Sequence, residues 1–146
     1  MGCSLLVTAN IFACDIEQLT SSKALSEADV VFRGVVDNLQ YLDNPEKKET
    51  EPRVIVTIEV LEVWKGHADK IVTLHTTHNK FTCNGYVFKA GGEYLVYSRY
   101  NRRADNFLAK LFAPDKPTLG VKIYNGTKPI SQAEEDLKLL GKGASH

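Results

Sequence analysis

The chain has 146 residues, 43% apolar and 25% charged, with acids and bases balanced at 18 each. That length suits one domain, able to bury roughly two thirds of its unfolded surface without obligatory metals or many disulfides. A neutral balance supplies no broad field for nucleic acid or an anionic membrane, so a basic nucleic-acid groove has little support.

Residues 1–13 contain Leu5-Leu6-Val7 and Ile11-Phe12-Ala13 and no charged side chain, and the chain turns polar at Cys14-Asp15. This pattern matches the apolar part of a secretory signal with a small residue before the cut, although no basic start precedes it. We expect residues 1–13 to be a signal segment and the mature protein to be secreted or periplasmic. Two other readings stay open. One is an ordinary apolar strand or helix start. The other is a lipoprotein leader, in which Cys14 after Phe12-Ala13 is acylated and tethers the chain to a membrane. The stretch is shorter than the ~20 apolar residues a spanning helix needs. If the leader is removed, Cys3 leaves with it, and Cys14 and Cys83 remain as an even pair in an oxidising compartment. A bridge closing that loop would restrain the unfolded chain by about 4 kcal/mol. In a reducing compartment both would be buried thiols.

Residues 19–28 include serines that can cap a brief helix, with Ala24, Leu25 and Ala28 on one side of it. Residues 30–36 read as a strand with Val30, Phe32, Gly34 and Val36 on one face, and a mid-strand glycine marks a sharp bend or a close backbone approach. Small closed barrels need such bends. Residues 41–52, a charged run bracketed by Pro45 and Pro52, read as a solvated loop. Val54, Val56, Ile58 and Val60 then recur at every second position, the period of a strand with one buried face.

Residues 65–69 form a turn and residues 71–76 a third strand. Gly91-Gly92 fits the tip of a hairpin joining Tyr86-Val87-Phe88 to Tyr94-Leu95-Val96-Tyr97. Residues 101–106 are a polar turn, Phe107 to Phe112 a last strand, and the chain around Pro114, Pro117 and Gly120 is irregular. Ser131 and Glu134 have capping-box spacing. The helix after them places Ala133, Leu137 and Leu140 on one face and stops at Gly141. Residues 142–146 are expected as a flexible, frayed tail. Short strands with helices only near the two ends argue a mainly β barrel or sandwich.

Five stretches, in order, carry a family resemblance: Ala28-Asp29-Val30-Val31-Phe32-Arg33-Gly34-Val35-Val36, Val60-Leu61-Glu62-Val63-Trp64-Lys65-Gly66, Cys83-Asn84-Gly85-Tyr86-Val87-Phe88, Gly92-Glu93-Tyr94-Leu95-Val96-Tyr97, and Asn125-Gly126-Thr127-Lys128-Pro129-Ile130-Ser131 with its helix. Together they resemble the tissue inhibitor of metalloproteinases (netrin-like) superfamily, most closely its small bacterial exported members. The resemblance spans residues 14–141. It implies an OB-like five-stranded Greek-key β-barrel with a short N-terminal helix and a C-terminal helix.

In the animal inhibitors the first cysteine of the mature chain is bridged to the cysteine of a Cys-Gly motif. Its free amine and carbonyl chelate a target protease's zinc. The resemblance places Cys14 in the first role and Cys83 in the second. Cys14 must then be the processed N-terminus, because an amide nitrogen inside a chain is no zinc ligand. Asp15 falls where a side chain enters the protease's specificity pocket, and a carboxylate there costs several kcal/mol to bury without a partner. Ile16 stands in place of a second cysteine, and Tyr124 stands near the position of that cysteine's bridging partner.

Other chemistry finds less support. His75 and His78 are three apart, on opposite faces of an extended strand, with no third ligand nearby. Asp43, Glu46, Glu49 and Glu51 share a loop with lysines and do not read as a hydrolase pair. No nucleotide or nucleophile-elbow fingerprint occurs. Asn125-Gly126-Thr127 matches a glycosylation sequon but reads better as a turn. Tyr86, Phe88, Tyr94, Tyr97 and Tyr100 could stack bases on an OB face, yet a small barrel core requires the same alternation.

These readings converge on a non-enzymatic, monomeric protein-binding module without cofactor or metal of its own. Its partner is a protein, in the sharpest form a zinc metalloproteinase met by Cys14 and Asp15. The alternative is an OB-fold protein binding single-stranded nucleic acid or a small ligand.

Overall fold

The computed structural model describes residues 19–42, 53–77, 85–100, 118–122 and 125–146. Five strands close a barrel: β1 (Val30–Leu42), β2 (Arg53–Lys65), β3 (Ile71–Thr77), β4 (Glu93–Tyr100) and β5 (Leu119–Gly120). The order runs β1-β2-β3-β5-β4 and returns to β1, with β3 and β5 parallel and the other barrel pairs antiparallel. This is the expected OB-like Greek-key closure, and it leaves no free edge among these five strands. A short strand β6 (Lys128–Pro129) pairs with β4, and β7 (Ala144–Ser145) pairs with β2.

Alternation in β2 does what its period requires: Val54, Val56, Ile58 and Val60 all point into the lumen, each at most 3% exposed. They meet Val30, Phe32 and Val36 of β1, Leu74 of β3 and Val96 of β4 in one core. Strand β1 coils sharply enough to pair with β2 on one side and β4 on the other, and its ladder shifts register at Arg33/Gly34. A Cβ at Gly34 would lie 2.5 Å from Ile58 Cγ2 and 2.6 Å from the Glu59 carbonyl oxygen. Glycine is therefore required where the barrel wall bends.

A second core fills the space between the barrel's outer wall and two helices. Helix α1 (Ser21–Glu27) is capped by Thr20, whose Oγ1 accepts from the Lys23 N–H at 3.4 Å, and it buries Ala24. Ala28 follows it into the same cluster, and Leu25 packs at its edge, as the spacing predicts. Helix α2 (Glu134–Leu140) brings Leu137 and Leu140, with Ala133 just before it, against Val31, Leu95 and Tyr97. The start of β1 (Val30 to Phe32) and the middle of β4 (Tyr94 to Ser98) are thus buried on both faces, which explains their near-continuous apolar runs.

Several expectations are corrected. Strand β1 extends through Leu42, into the stretch read as loop. Residues 86–88 form no strand: the Gly91 N–H donates to the Val36 carbonyl at 2.8 Å, so the glycine turn caps β1 instead of closing a hairpin on Phe88. Leu119–Gly120, placed in an irregular region, closes the barrel, while the last strand expected at 107–112 lies outside the described residues. Ser131 sits in a 3₁₀ turn (Ile130–Gln132), and Ala133, with no side-chain acceptor, precedes α2, so no capping box forms. Packing wins over local chemistry there, since Ala133 is fully buried.

The tail does not fray. The Gly143 N–H donates to Glu62 Oε1 at 2.8 Å, Ala144–Ser145 joins the sheet, and His146 Nε2 donates to the Ala68 carbonyl at 2.7 Å.

Candidate functional site

Cys14 and Asp15, the expected partner-binding residues, and Cys83, the expected bridge partner, lie outside the described residues, as do Cys3 and His78. The described chain resumes two residues after Cys83, at Gly85, and β3 determines how. The Thr76 hydroxyl accepts from the Tyr86 N–H at 2.8 Å and donates to the Val121 carbonyl at 3.1 Å. One buried side chain thereby ties β3 to the segment after Gly85 and to the residue after β5. Gly85 itself has φ +82°, and a Cβ there would come within 2.0 Å of the Thr77 carbonyl oxygen. Its backbone lies flat on the end of β3, a physical reason for the glycine of the Cys-Asn-Gly run.

Beyond it, Tyr86, Phe88 and Tyr94 pack as a trio. Phe88 and Tyr94 meet edge to face at 4.9 Å, and Tyr86 sits 4.7 Å from Phe88. Phe88 and Tyr94 are 4% and 5% exposed. Burial, reinforced by Tyr94, pushes the Tyr86 phenol up to about 12. Tyr97 is fully buried beneath the helices. The rings considered as a base-stacking platform are largely committed to the interior.

On the outer face of β4 a carboxylate organises both helices. Asp136 of α2 is 2% exposed. One oxygen accepts from Ser21 Oγ of α1 at 2.8 Å and from Lys128 Nζ of β6 at 2.9 Å, and the other accepts from the Tyr97 hydroxyl of β4 at 2.7 Å. Burial alone would raise the carboxyl, but these three donors and the Lys128 charge outweigh it and hold it below the usual carboxylate range. Burial, followed by the hydrogen bond to Asp136, pushes the Tyr97 phenol well up. Every donor here is spent on holding the carboxylate, so the cluster anchors α1 against the barrel. Leu19, five residues after Cys14, packs against the same second core. The sequence signal was an acid on the apolar stripe of Ala133, Leu137 and Leu140, which the helix reading passed over.

At the mouth of the barrel near Gly85 lies a cleft of about 500 Å³. Val54 and Val121 form part of its floor, and Arg53, Arg99 and Lys122 are among its lining. These cations come from three distant stretches, and nothing in their local pattern announces that they converge. Arg99 also ion-pairs with Glu27 at the end of α1. His75 lines the cleft as well, and no cluster of three potential metal ligands occurs among the described residues. Asn125, in the sequon pattern, is 6% exposed and its N–H closes a turn on the Lys122 carbonyl, in keeping with the turn reading. No helix among the described residues is long and apolar enough to cross a membrane.

No protein-family model matches the chain, and no curated protein matches it.

Proposed function

We propose that this chain is an exported, non-enzymatic protein-binding module of the tissue-inhibitor (netrin-like) type. Its partner surface is the segment starting at Cys14 together with the Cys83 segment that precedes Gly85. In the narrower form of the proposal the partner is a zinc metalloproteinase, chelated by the amine and carbonyl of a processed Cys14 bridged to Cys83. The observation that carries the reading is the OB-like barrel with a helix near each end of the chain. Gly85 adds to it: the Cys-Asn-Gly stretch has a glycine at the position where the backbone must lie on β3.

A rigid barrel with the polar anchor at Asp136 is well suited to presenting a short segment to another protein, because preorganisation reduces the ordering cost of association. Asp15 and Ile16 bear on the inhibitor form alone. A carboxylate entering an apolar specificity pocket would restrict the targets to proteases offering a cation there.

The test has two steps. Mass spectrometry of the protein exported by its cells should find Cys14 as a free-amine N-terminus disulfide-bonded to Cys83. That material should inhibit at least one member of a panel of zinc proteases, and a version carrying one extra alanine before Cys14 should lose at least roughly a hundredfold in affinity, as expected when a metal ligand is removed. An unprocessed or acylated Cys14 defeats the inhibitor form. Absence of both cleavage and the bridge defeats the module reading as well.

A further inference from the structure

The two edges of β2 are covered differently. One edge pairs with β1 along the length of the strand. The other pairs with β3 only as far as Glu59, opposite Ile71, and beyond that point its cover among the described residues is β7, two residues long. An open strand edge presents unpaired backbone groups that recruit another extended chain. Here the residues after α2 fill the place, so the tail shows what kind of chain the edge accepts.

The His146 N–H donates to the Leu61 carbonyl at 3.3 Å, continuing the ladder that pairs Ala144 with Val63 and Ser145 with Glu62. The Gly143 N–H donates to Glu62 Oε1 at 2.8 Å, and Arg33, 3.9 Å from the other carboxylate oxygen, steadies that acceptor from β1. A Cβ at Gly143 would come within 2.7 Å of the Val63 carbonyl oxygen and 3.1 Å of Trp64 Nε1, so glycine is required there. Three residues on, the His146 imidazole reaches the Ala68 carbonyl at 2.7 Å. Between these two anchors Ala144 and Ser145 are exposed and set no side-chain requirement.

The tail is also built to detach. Gly141 has φ +67° with open space around it, and Lys142 is exposed, so the chain can pivot between α2 and β7. The exposed tail side chains bury little apolar surface. Hydrogen bonds hold it, and another extended chain can make the same bonds.

We infer that the β2 edge from Leu61 to Val63, with the turn carrying Ala68, is a strand-accepting slot for an extended Gly-x-x-His stretch of another protein. The tail is its resident competitor, displaced when the partner adds its own strand by main-chain hydrogen bonds. A short tether competes at an effective concentration of order millimolar, so a short peptide must be offered at that level. The slot uses neither Cys14 nor Cys83, and failure of the protease assay leaves it untouched.

The probe is the peptide Gly-Lys-Gly-Ala-Ser-His, the sequence of residues 141–146, titrated into the isotope-labelled full chain. The amide resonances of Leu61, Val63 and Ala68 should shift saturably, and those of Gly143 and Ser145 should move to unstructured positions as the resident tail leaves. Gly143→Ala in the full chain crowds the tail off the edge and should tighten peptide binding by roughly tenfold or more, because less competitor occupies the slot. Adding Glu62→Ala to that variant should weaken the peptide roughly tenfold. The same peptide with alanine for its second glycine should not bind. Absence of saturable shifts at Leu61 and Val63, equal binding of the two peptides, equal affinity of wild type and G143A, or binding unchanged by E62A would each overturn the assignment. Should G143A fail to fold, the wild-type titration with the two peptides still decides. Sedimentation of the wild-type chain as a dimer that the peptide dissociates would give the slot to a second copy's tail and overturn the partner named here.

Discussion

Asp136 occupies the stripe of α2 that otherwise carries alanine and leucine, three residues after Ala133 and four before Leu140, so helical geometry alone drives it inward. Its carboxyl lies below its unfolded value of roughly 4. The stabilisation it supplies is therefore complete above about pH 4 and is lost as pH falls from there through the folded value. Urea denaturation at stepped pH should show unfolding free energy dropping on that acid side. In Asp136→Asn the drop should flatten, and stability at neutral pH should fall by about 3 kcal/mol, since Lys128 and Tyr97 lose a charged acceptor. An unchanged acid slope in D136N would show that other carboxylates set it. Tyr97→Phe, which removes one donor and keeps the ring, should cost about 1–2 kcal/mol.

At the scale of elements, what was legible followed from period. The every-second-residue valines of β2, the bend at Gly34 and the Ala24/Ala28 face of α1 are local patterns, and each folds as read. Strand β5 was not legible because Leu119 and Gly120 alone have no period to detect. The supposed strand at Tyr86–Phe88 had the right residues, but they pack ring against ring instead of laddering. The end of the chain was misread for a different reason: its polar, small residues look mobile, and only the distant Glu62 and Ala68 give them partners. Removing residues 142–146 should consequently cost about 1–3 kcal/mol by chemical denaturation, where a frayed tail would cost nothing. Glu62→Ala should reproduce part of that loss. The proposed site was legible only as a resemblance; the cleft cations, far apart in the chain, were not legible at all.

Over the whole molecule, closure is uneven. Strands β1 and β2 pair from Val31 to Leu42, whereas among the described residues β5 joins β3 and β4 through Leu119 and Gly120. The barrel has a thin seam on the side where the cleft lies. Local opening there should cost less than global unfolding. Native-state hydrogen exchange should find the Val121 N–H, which donates to the His75 carbonyl at 3.2 Å, exchanging at least roughly tenfold faster than that of Val60 in the β2 wall. Equal protection of the two would mean the barrel opens only as a unit.

The chain contains a single tryptophan. Trp64 packs at the edge of the second core and its indole N–H donates to the Gly141 carbonyl at the end of α2, at 2.9 Å. Intrinsic emission of this protein therefore comes from one place, the junction of its terminal helix with the outer wall. Departure of that helix would redden the spectrum while far-ultraviolet dichroism of the strands stayed constant, so two ordinary optical signals separate shedding of the outer layer from collapse of the lumen.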